Sequence, residues 1–197
     1  VEEDLDGFVR RRIADLTAYR DARYAERYRV LVEGAVAAEA ALGLAGRSFA
    51  WAVARSAHKV MAYKDEYEVA RLYTDGRFRA ALEAQFEPGF RLRFHMAPPL
   101  VARKRDAAGR PQKMAFGPWV QILFRILSAM KGLRETPLDI FGWHAERRQE
   151  RALRDRYLAR VALASADLEA ENHAAAVAIA ELPLSVRGFG PVKAEAM

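Results

Sequence analysis

Apolar residues recur every three or four positions along most of the chain, which is the spacing of amphipathic helices. The first predicted helix covers Glu2 to about Thr17, and the second runs from about Asp21 to Leu42. Ser48 is a suitable N-cap for a third helix, Phe49 to about Tyr63. Trp51 falls on the face of this third helix opposite its apolar face, beside an arginine and a histidine. We therefore expect Trp51 to be exposed and to contact something outside the helix pair.

The next segment, Met61 to Thr74, reads MAYKDEYEVARLYT and combines three tyrosines with five charged residues. At helical spacing, Tyr63 and Tyr67 lie one turn apart. Asp65 is better interpreted as a helix N-cap than as one half of a carboxylate dyad with Glu66, because adjacent helical residues point in different directions. A buried tyrosine still needs a partner for its hydroxyl. The segment is therefore predicted to be half core and half contact surface, the alternative being a solvated helix edge above the core.

The hydrophobic pattern changes in the middle of the chain. A shorter helix is predicted from Arg77 to Phe86, after which residues 90–96 alternate apolar and polar side chains with the period of a strand. A turn is predicted over residues 107–111, and Gln112 to Phe116 then returns as a second, short strand. The fold class predicted is mainly α, a multi-helix single domain with a small two-stranded β-ribbon insertion at about residues 90–116.

Three further helices are predicted in the C-terminal part. Gly117 and Pro118 precede the most apolar one, Trp119 to about Gly132, whose narrow polar stripe indicates a central position in the fold. A strongly basic helix runs from about Ala145 to Ala164, and an alanine-rich one from about Leu168 to Leu182 ends before a proline.

Composition narrows the possible functions. The 197 residues suffice for one hydrophobic core, and the absence of cysteine excludes disulfides, thiolate nucleophiles and iron–sulfur ligation by this chain. The charged N-terminus is unlike a signal peptide, and the most apolar run, residues 119–130, is too short to span a bilayer, so the chain is predicted to be soluble and cytoplasmic. The net charge is +6, but the 26 acidic residues are interspersed with the 32 basic ones, which gives little support to nucleic-acid binding. Val1 at the start fits trimming or cloning, and equally a piece of a longer polypeptide.

Seven segments form a series along nearly the whole chain. In order they are DLTAYRDARYAERY (residues 15–28), MAYKDEYEVARLYT (61–74), RLRFHMAPPL (91–100), GRP (109–111), FGPW (116–119), AERR (145–148) and RGFGPVK (187–193). Together they resemble the C-terminal domain of the large fused indolepyruvate ferredoxin oxidoreductases, in the 2-oxoacid:ferredoxin oxidoreductase superfamily. The combination is specific, whereas no single segment is.

The resemblance implies a role inside a larger parent enzyme. Such enzymes oxidatively decarboxylate aryl or branched-chain 2-oxoacids to acyl-CoA and pass the electrons to ferredoxin, using thiamine diphosphate with Mg, CoA and an iron–sulfur cluster. In that family these chemical parts lie upstream of the domain. Residues 1–197 are therefore expected to form a single noncatalytic accessory domain, without catalytic, cofactor-binding or metal-binding residues of its own.

The sequence motifs agree with this expectation. A thiamine site needs a Gly-Asp-Gly type motif, and the two Asp-Gly pairs, at Asp6 and Asp75, lack the preceding glycine. There is no phosphate loop or dinucleotide fingerprint, and the four histidines form no HExxH pair. His95, at the end of the first predicted strand, is interpreted either as a histidine bonded to a turn carbonyl or as a polar contact with the catalytic body.

The predicted partners are the catalytic domains of the same polypeptide, with any homo-oligomer formed through the parent. Aromatic anchors and polar groups on faces away from the inferred core are the candidate inter-domain contacts: Trp51, Tyr63, Lys64, Asp65, Tyr67, His95, Arg187 and Phe189.

The basic helix allows two interpretations. It is either a solvated face with ion pairs such as Glu150–Arg154 and Arg151–Asp155, or a surface that attracts an acidic ferredoxin through Arg148, Arg151 and Arg154. The alternative for the whole chain is an independent basic helical module that binds nucleic acid or an acidic protein. That alternative depends on the same helix and on Arg103-Lys104-Arg105 in the ribbon turn.

Overall fold

A computed structural model describes residues 4–44, 46–96, 112 and 114–186. This part of the chain is mainly α-helical with one two-stranded sheet, as the sequence predicts. The elements are α1 (Leu5–Tyr19), α2 (Ala22–Ala41), α3 (Ser48–Met61), α4 (Glu66–Thr74), α5 (Arg77–Glu83), β1 (Phe94–Met96), β2 (Met114–Phe116), α6 (Val120–Ala129), a 3-10 turn (Met130–Leu133), α7 (Ala145–Ala166) and α8 (His173–Ser185).

The chain divides into two compact units. Unit 1 comprises Val1–Asp65 and Gly132–Met197, and unit 2 comprises Glu66–Lys131. No described helix is both long enough and apolar enough to cross a membrane.

Unit 1 is built around α3, which is buried on nearly all sides. Its alanines let α2 and α8 approach closely, and its larger apolar side chains, Phe49 and Val53, are fully buried. Tyrosines from the neighbouring helices reach into this core and donate their hydroxyls to backbone carbonyls: Tyr24 to Met61 at 2.9 Å, Tyr28 to Ala54 at 3.1 Å and Tyr157 to Ala180 at 3.0 Å. Each ring thus fills the core while its polar end has a partner.

Helix α3 begins differently from the prediction. The helix starts at Ser48 itself, and the preceding residue gives no side-chain cap. A carboxylate from α2 takes that role, because Glu39 accepts hydrogen bonds from the backbone N–H of Phe49 at 2.9 Å and of Ala50 at 3.0 Å. His173, at the start of α8, contacts the same carboxylate at 2.7 Å. Glu39 thereby joins the ends of three helices and satisfies N–H groups that a helix leaves unpaired.

Unit 2 has a small aromatic core. Strands β1 and β2 pair antiparallel with Phe94 opposite Phe116, which confirms the predicted ribbon, although its predicted turn lies outside the described residues. Tyr73 of α4 stacks on Phe124 of α6 with ring centroids 5.3 Å apart and meets Phe94 edge-on at the same distance. These rings, with Val120, hold α4, α6 and the ribbon together.

The prediction that the apolar helix is central is wrong. Only Val120 and Phe124 of α6 are buried. Leu127 is half-buried, and four other large apolar side chains at this helix are exposed over much of their surface: Trp119 60%, Ile122 65%, Leu123 44% and Ile126 53%. The pattern predicted burial of the whole helix, but the small core of unit 2 covers only one side of it.

Two other helix boundaries also differ from the predictions. Helix α3 ends at Met61 and α4 begins at Glu66, so Tyr63 lies in the connection and not one helical turn before Tyr67. Helix α8 starts at His173 and continues through Pro183 to Ser185. Because this proline lies in the last turn, its missing N–H removes a single hydrogen bond close to the end of the helix.

Candidate functional site

The deepest charged group in unit 1 is an ion pair between Asp65 and Arg134. Arg134 is 1% exposed, and its guanidinium donates to both carboxylate oxygens of Asp65, at 2.6 and 2.8 Å. The same guanidinium lies 4.0 Å from the centre of the Tyr19 ring and donates to the Tyr19 carbonyl. Such a two-pronged pair fixes both side chains in one geometry.

A second network begins at the next residue along the chain. Glu135 has a left-handed backbone with φ of 62°, which is uncommon for a residue with a side chain. Its carboxylate pairs with Arg20 at 2.8 Å and with Arg154, which also donates to Asp155 at 2.9 Å. Arg154 further approaches the Tyr24 hydroxyl at 3.4 Å.

The loop that carries these residues is held by one carboxylate. Asp139 accepts hydrogen bonds from the backbone N–H of Glu135 and of Gly142, each at 3.0 Å. A Cβ atom at Gly142 would lie 2.4 Å from an oxygen of Asp139 and 3.0 Å from a nitrogen of Arg151, so only glycine fits there. The loop geometry that places Arg134 and Glu135 is therefore fixed by its own side chains.

Electrostatics in this region stabilise charged acids and neutral phenols. Burial alone would raise the pKa of Glu135, but the hydrogen bonds from Arg154 and Arg20 outweigh it and hold the pKa below its ordinary value. Burial raises the pKa of Tyr24 despite the nearby Arg154, so this phenol stays protonated. The acids are thus tied up in ion pairs, an arrangement that fixes structure.

A polar pocket of about 270 Å³ opens beside this network. It is lined by acids and arginines that already pair or hydrogen-bond within the chain, such as Glu135 and Arg154, together with the exposed residue Trp143. The described residues contain no group of three histidine or acidic side chains suited to hold a metal ion.

The candidate contacts of the tyrosine-rich segment have different positions. The prediction placed Tyr63, Asp65 and Tyr67 on faces away from the core. This is wrong, because they are only 6%, 4% and 1% exposed. Asp65 does directly precede α4, but its carboxylate also serves the Arg134 pair. Lys64 and His95 are exposed. Arg187 and Phe189 lie outside the described residues.

Trp51 is half-buried, whereas the prediction placed it in solvent. Its ring packs 5.2 Å from Phe8 of α1, and the Arg55 guanidinium lies 5.0 Å from the ring centre. Its neighbour His58 meets Tyr28 edge-on at 6.4 Å. Burial, with a smaller contribution from a nearby arginine, lowers the pKa of His58 to about 4. This face of α3 is thus largely covered by its own chain.

The three arginines of the basic helix do not form one exposed surface. Arg154 is 3% exposed, so the prediction that it faces a ferredoxin is wrong. Arg151 donates to the Gly142 carbonyl at 2.7 Å, and Arg148 to the Trp143 carbonyl at 2.8 Å. The predicted ion pair between Glu150 and Arg154 is also wrong, since Glu150 accepts a hydrogen bond from Arg147 instead. The basic triplet at residues 103–105 lies outside the described residues.

Sequence reasoning missed Arg134, Glu135 and Glu39. The first two lie in an irregular segment without periodicity, and the partner of Arg134 is 69 positions away in the sequence. Glu39 lies near the end of a helix. Acidic residues are rarely buried unless they are paired, so its burial could not be predicted without knowing its partners.

The fold and its paired interior define a mainly helical domain with a charged, self-neutralised core and an exposed apolar helix. Residues 5–197 match DUF6537, described as a family of unknown function, and the chain belongs to that family. Neither the curated proteins nor the solved structures contain a match.

Proposed function

We propose that this chain is a noncatalytic accessory domain of an indolepyruvate-type ferredoxin oxidoreductase in the cytoplasm, held against the catalytic modules of the same polypeptide. Those modules would carry thiamine diphosphate, Mg, CoA and the iron–sulfur cluster, and would oxidatively decarboxylate aryl or branched-chain 2-oxoacids. The ordered series of seven segments supports this assignment. A ferredoxin contact through Arg148, Arg151 and Arg154 is not part of the proposal, because Arg154 is buried.

The observation that carries the proposal is the apolar face of α6. Trp119, Ile122, Leu123 and Ile126 are all more than 40% exposed. Trp119 is the last residue of the matching segment FGPW, and the other three follow it along the helix. Contiguous exposed apolar residues of this kind mark surfaces that bind another protein surface. Arg125 is the single charged residue of α6, so the complementary surface has to be mainly apolar.

The interior of the tyrosine-rich segment supports the same role. Its acids are engaged in structural pairs: Asp65 with Arg134, and Glu68 with Arg71 at 2.7 Å. The segment that contributes most to the resemblance thus holds the fold together, which is what a domain that positions other modules requires.

The experiment compares the chain with its full-length polypeptide. The reading frame upstream of Val1 is expected to encode a thiamine-diphosphate module, and that module expressed separately should bind residues 1–197. Ile122→Glu should weaken this binding at least about tenfold, because a carboxylate would be buried in an apolar contact. The matched control is Leu163→Glu on α7, an equally exposed residue at 65%, which should change the affinity less than about twofold.

Two results would overturn the proposal. One is an upstream sequence without a thiamine-diphosphate module. The other is decarboxylation of indolepyruvate by residues 1–197 alone when thiamine diphosphate, Mg, CoA and ferredoxin are supplied. Equal effects of the two glutamate substitutions would show that α6 is not the contact surface.

A further inference from the structure

Unit 2 contains a pocket of about 690 Å³. Helix α5, the segment after it and one side of α6 form its walls. Apolar groups make up much of the lining: Tyr73, Phe78, Leu82, Phe86, Phe90 and Leu92. A volume between roughly 300 and 1,000 Å³ with an apolar, aromatic lining is typical of small-molecule sites.

The aromatic rings of this pocket are arranged in two groups. Phe78 meets Tyr73 edge-on at 4.9 Å, which anchors one wall to the core of unit 2. Phe86 and Phe90 lie 6.0 Å apart and form a second wall, and Phe86 is 54% exposed. An apolar ligand placed between these groups would cover aromatic surface that water now contacts.

Positive charge exceeds negative charge around the same pocket. Arg79, Arg91 and Arg125 line it, against the single carboxylate of Glu83. Arg79 donates to Glu83 at 2.7 Å, so that pair is neutral. Within the described part of the chain, neither Arg91 nor Arg125 forms an ion pair. Two guanidinium groups beside an aromatic cavity therefore have their donors available.

We propose that this pocket binds a small organic anion: an aromatic or similarly apolar body that carries one carboxylate or phosphate group. The body would pack between the phenylalanine rings, and the oxyanion would accept hydrogen bonds from Arg91 and Arg125. Guanidinium groups suit both oxyanions, because their N–H groups match two oxygens at once.

Other ligand classes fit less well. A neutral apolar molecule would bring an apolar surface next to two guanidinium groups and give them no acceptor. An inorganic anion would satisfy the arginines and leave the aromatic walls in water. Only a ligand with both parts uses all the groups that line the pocket.

The test uses the 197-residue chain and four probes in isothermal titration calorimetry. The probes 1-naphthoate and 1-naphthyl phosphate combine a ring with an oxyanion, 1-naphthalenemethanol lacks the charge, and inorganic phosphate lacks the ring. We expect at least one charged naphthyl probe to bind at least about tenfold more tightly than the alcohol and than inorganic phosphate. Tighter binding of the carboxylate or of the phosphate ester then identifies which oxyanion the pocket prefers.

A matched pair of variants locates the site. Arg125→Gln should weaken binding of the better probe about tenfold, because it removes a charged donor. Arg77→Gln makes the same change in charge on α5, at a side chain that is 73% exposed and outside the pocket lining, and should change the affinity less than about twofold. Because both arginines are exposed, both variants should keep the melting temperature of the parent chain.

Three outcomes overturn the proposal. They are the absence of binding of either charged naphthyl probe, equal binding of 1-naphthalenemethanol, and equal losses for Arg125→Gln and Arg77→Gln.

Discussion

The two units of this chain treat charge and apolar surface in opposite ways. Among the described residues of unit 1, six charged side chains are buried: Glu39, Asp65, Arg134, Asp139, Glu150 and Arg154. Those of unit 2 include a single buried charge, Glu68. Unit 2 instead exposes apolar residues of α6, and within its described residues Arg91 and Arg125 at its pocket form no ion pair.

This difference indicates where each unit does its work. A buried ion pair has already lost its water and gained its partner, so its charges have little left to offer an outside molecule. Burying exposed apolar side chains against a partner is still favourable, and a guanidinium group without an ion pair can still gain a carboxylate or phosphate acceptor. Both proposed interaction surfaces therefore lie in unit 2, and the charged network of unit 1 is assigned to the stability of the fold.

Arg134→Met is expected to have the largest effect on stability. It leaves the Asp65 carboxylate buried without its two-pronged partner, which costs about 3–5 kcal/mol in the free energy of unfolding. Urea denaturation of the whole chain measures the loss in the free energy of unfolding. Hydrogen exchange in α1 and α3 measures the same loss within unit 1. Arg160→Met on α7 is the matched control, since Arg160 is exposed and the change should cost less than about 0.5 kcal/mol.

The double variant Asp65→Asn, Arg134→Met sharpens this result. If the two side chains act as a pair, the combined loss should be smaller than the sum of the two single losses. Additive losses would show that the pair is not coupled, and the contrast between the units would then lose its main support.

Glu39→Gln should have a smaller effect that depends on pH. Burial raises the pKa of Glu39, but the hydrogen bonds from Ala50, His173 and Phe49 together lower it by more. The pKa therefore lies below its ordinary value. Glutamine loses the charge that holds these donors, at a cost of about 1–3 kcal/mol near pH 7.

The sign of the pH dependence follows from this lowered pKa. A carboxyl whose pKa is lower in the folded state contributes its stability above the ordinary pKa of about 4.5 and loses it as the pH falls through the folded value. The difference between the parent chain and Glu39→Gln should therefore be largest near neutral pH and shrink as the pH falls below about 4.5 and through the lower folded value. Thermal melts at pH 7 and pH 3 measure it, and an equal difference at both would contradict the assignment.

The sequence predicted local elements better than it predicted partners. Asp21 begins the second predicted helix and accepts a hydrogen bond from the Tyr24 N–H at 2.7 Å, as a local cap does. The β-ribbon followed from the alternation of residues 90–96. Both depend on neighbours in the sequence, which is why pattern and turn chemistry sufficed.

The errors arose where distant residues decide the outcome. The apolar content of α6 predicted burial, but a helix becomes central only if other elements cover all its sides. Arg154 belongs to a basic run and was predicted to face solvent, whereas Glu135, 19 positions earlier, draws it into the interior. Ser48 was predicted as a cap, but the carboxylate of Glu39, on another helix, does that work.

Ile126→Ser should have the smallest effect of all. Serine and isoleucine have similar helix propensities, and Ile126 is 53% exposed, so the change should alter the stability of unit 2 by no more than about 0.5 kcal/mol. Phe124→Ala on the same helix is the contrasting variant, because this ring is 5% exposed and its removal should cost about 3 kcal/mol or more. Hydrogen exchange in α4 and α6 measures both. A loss at Ile126 comparable to that at Phe124 would mean that the exposed face already belongs to a core, and α6 would then have no free apolar surface to offer a partner.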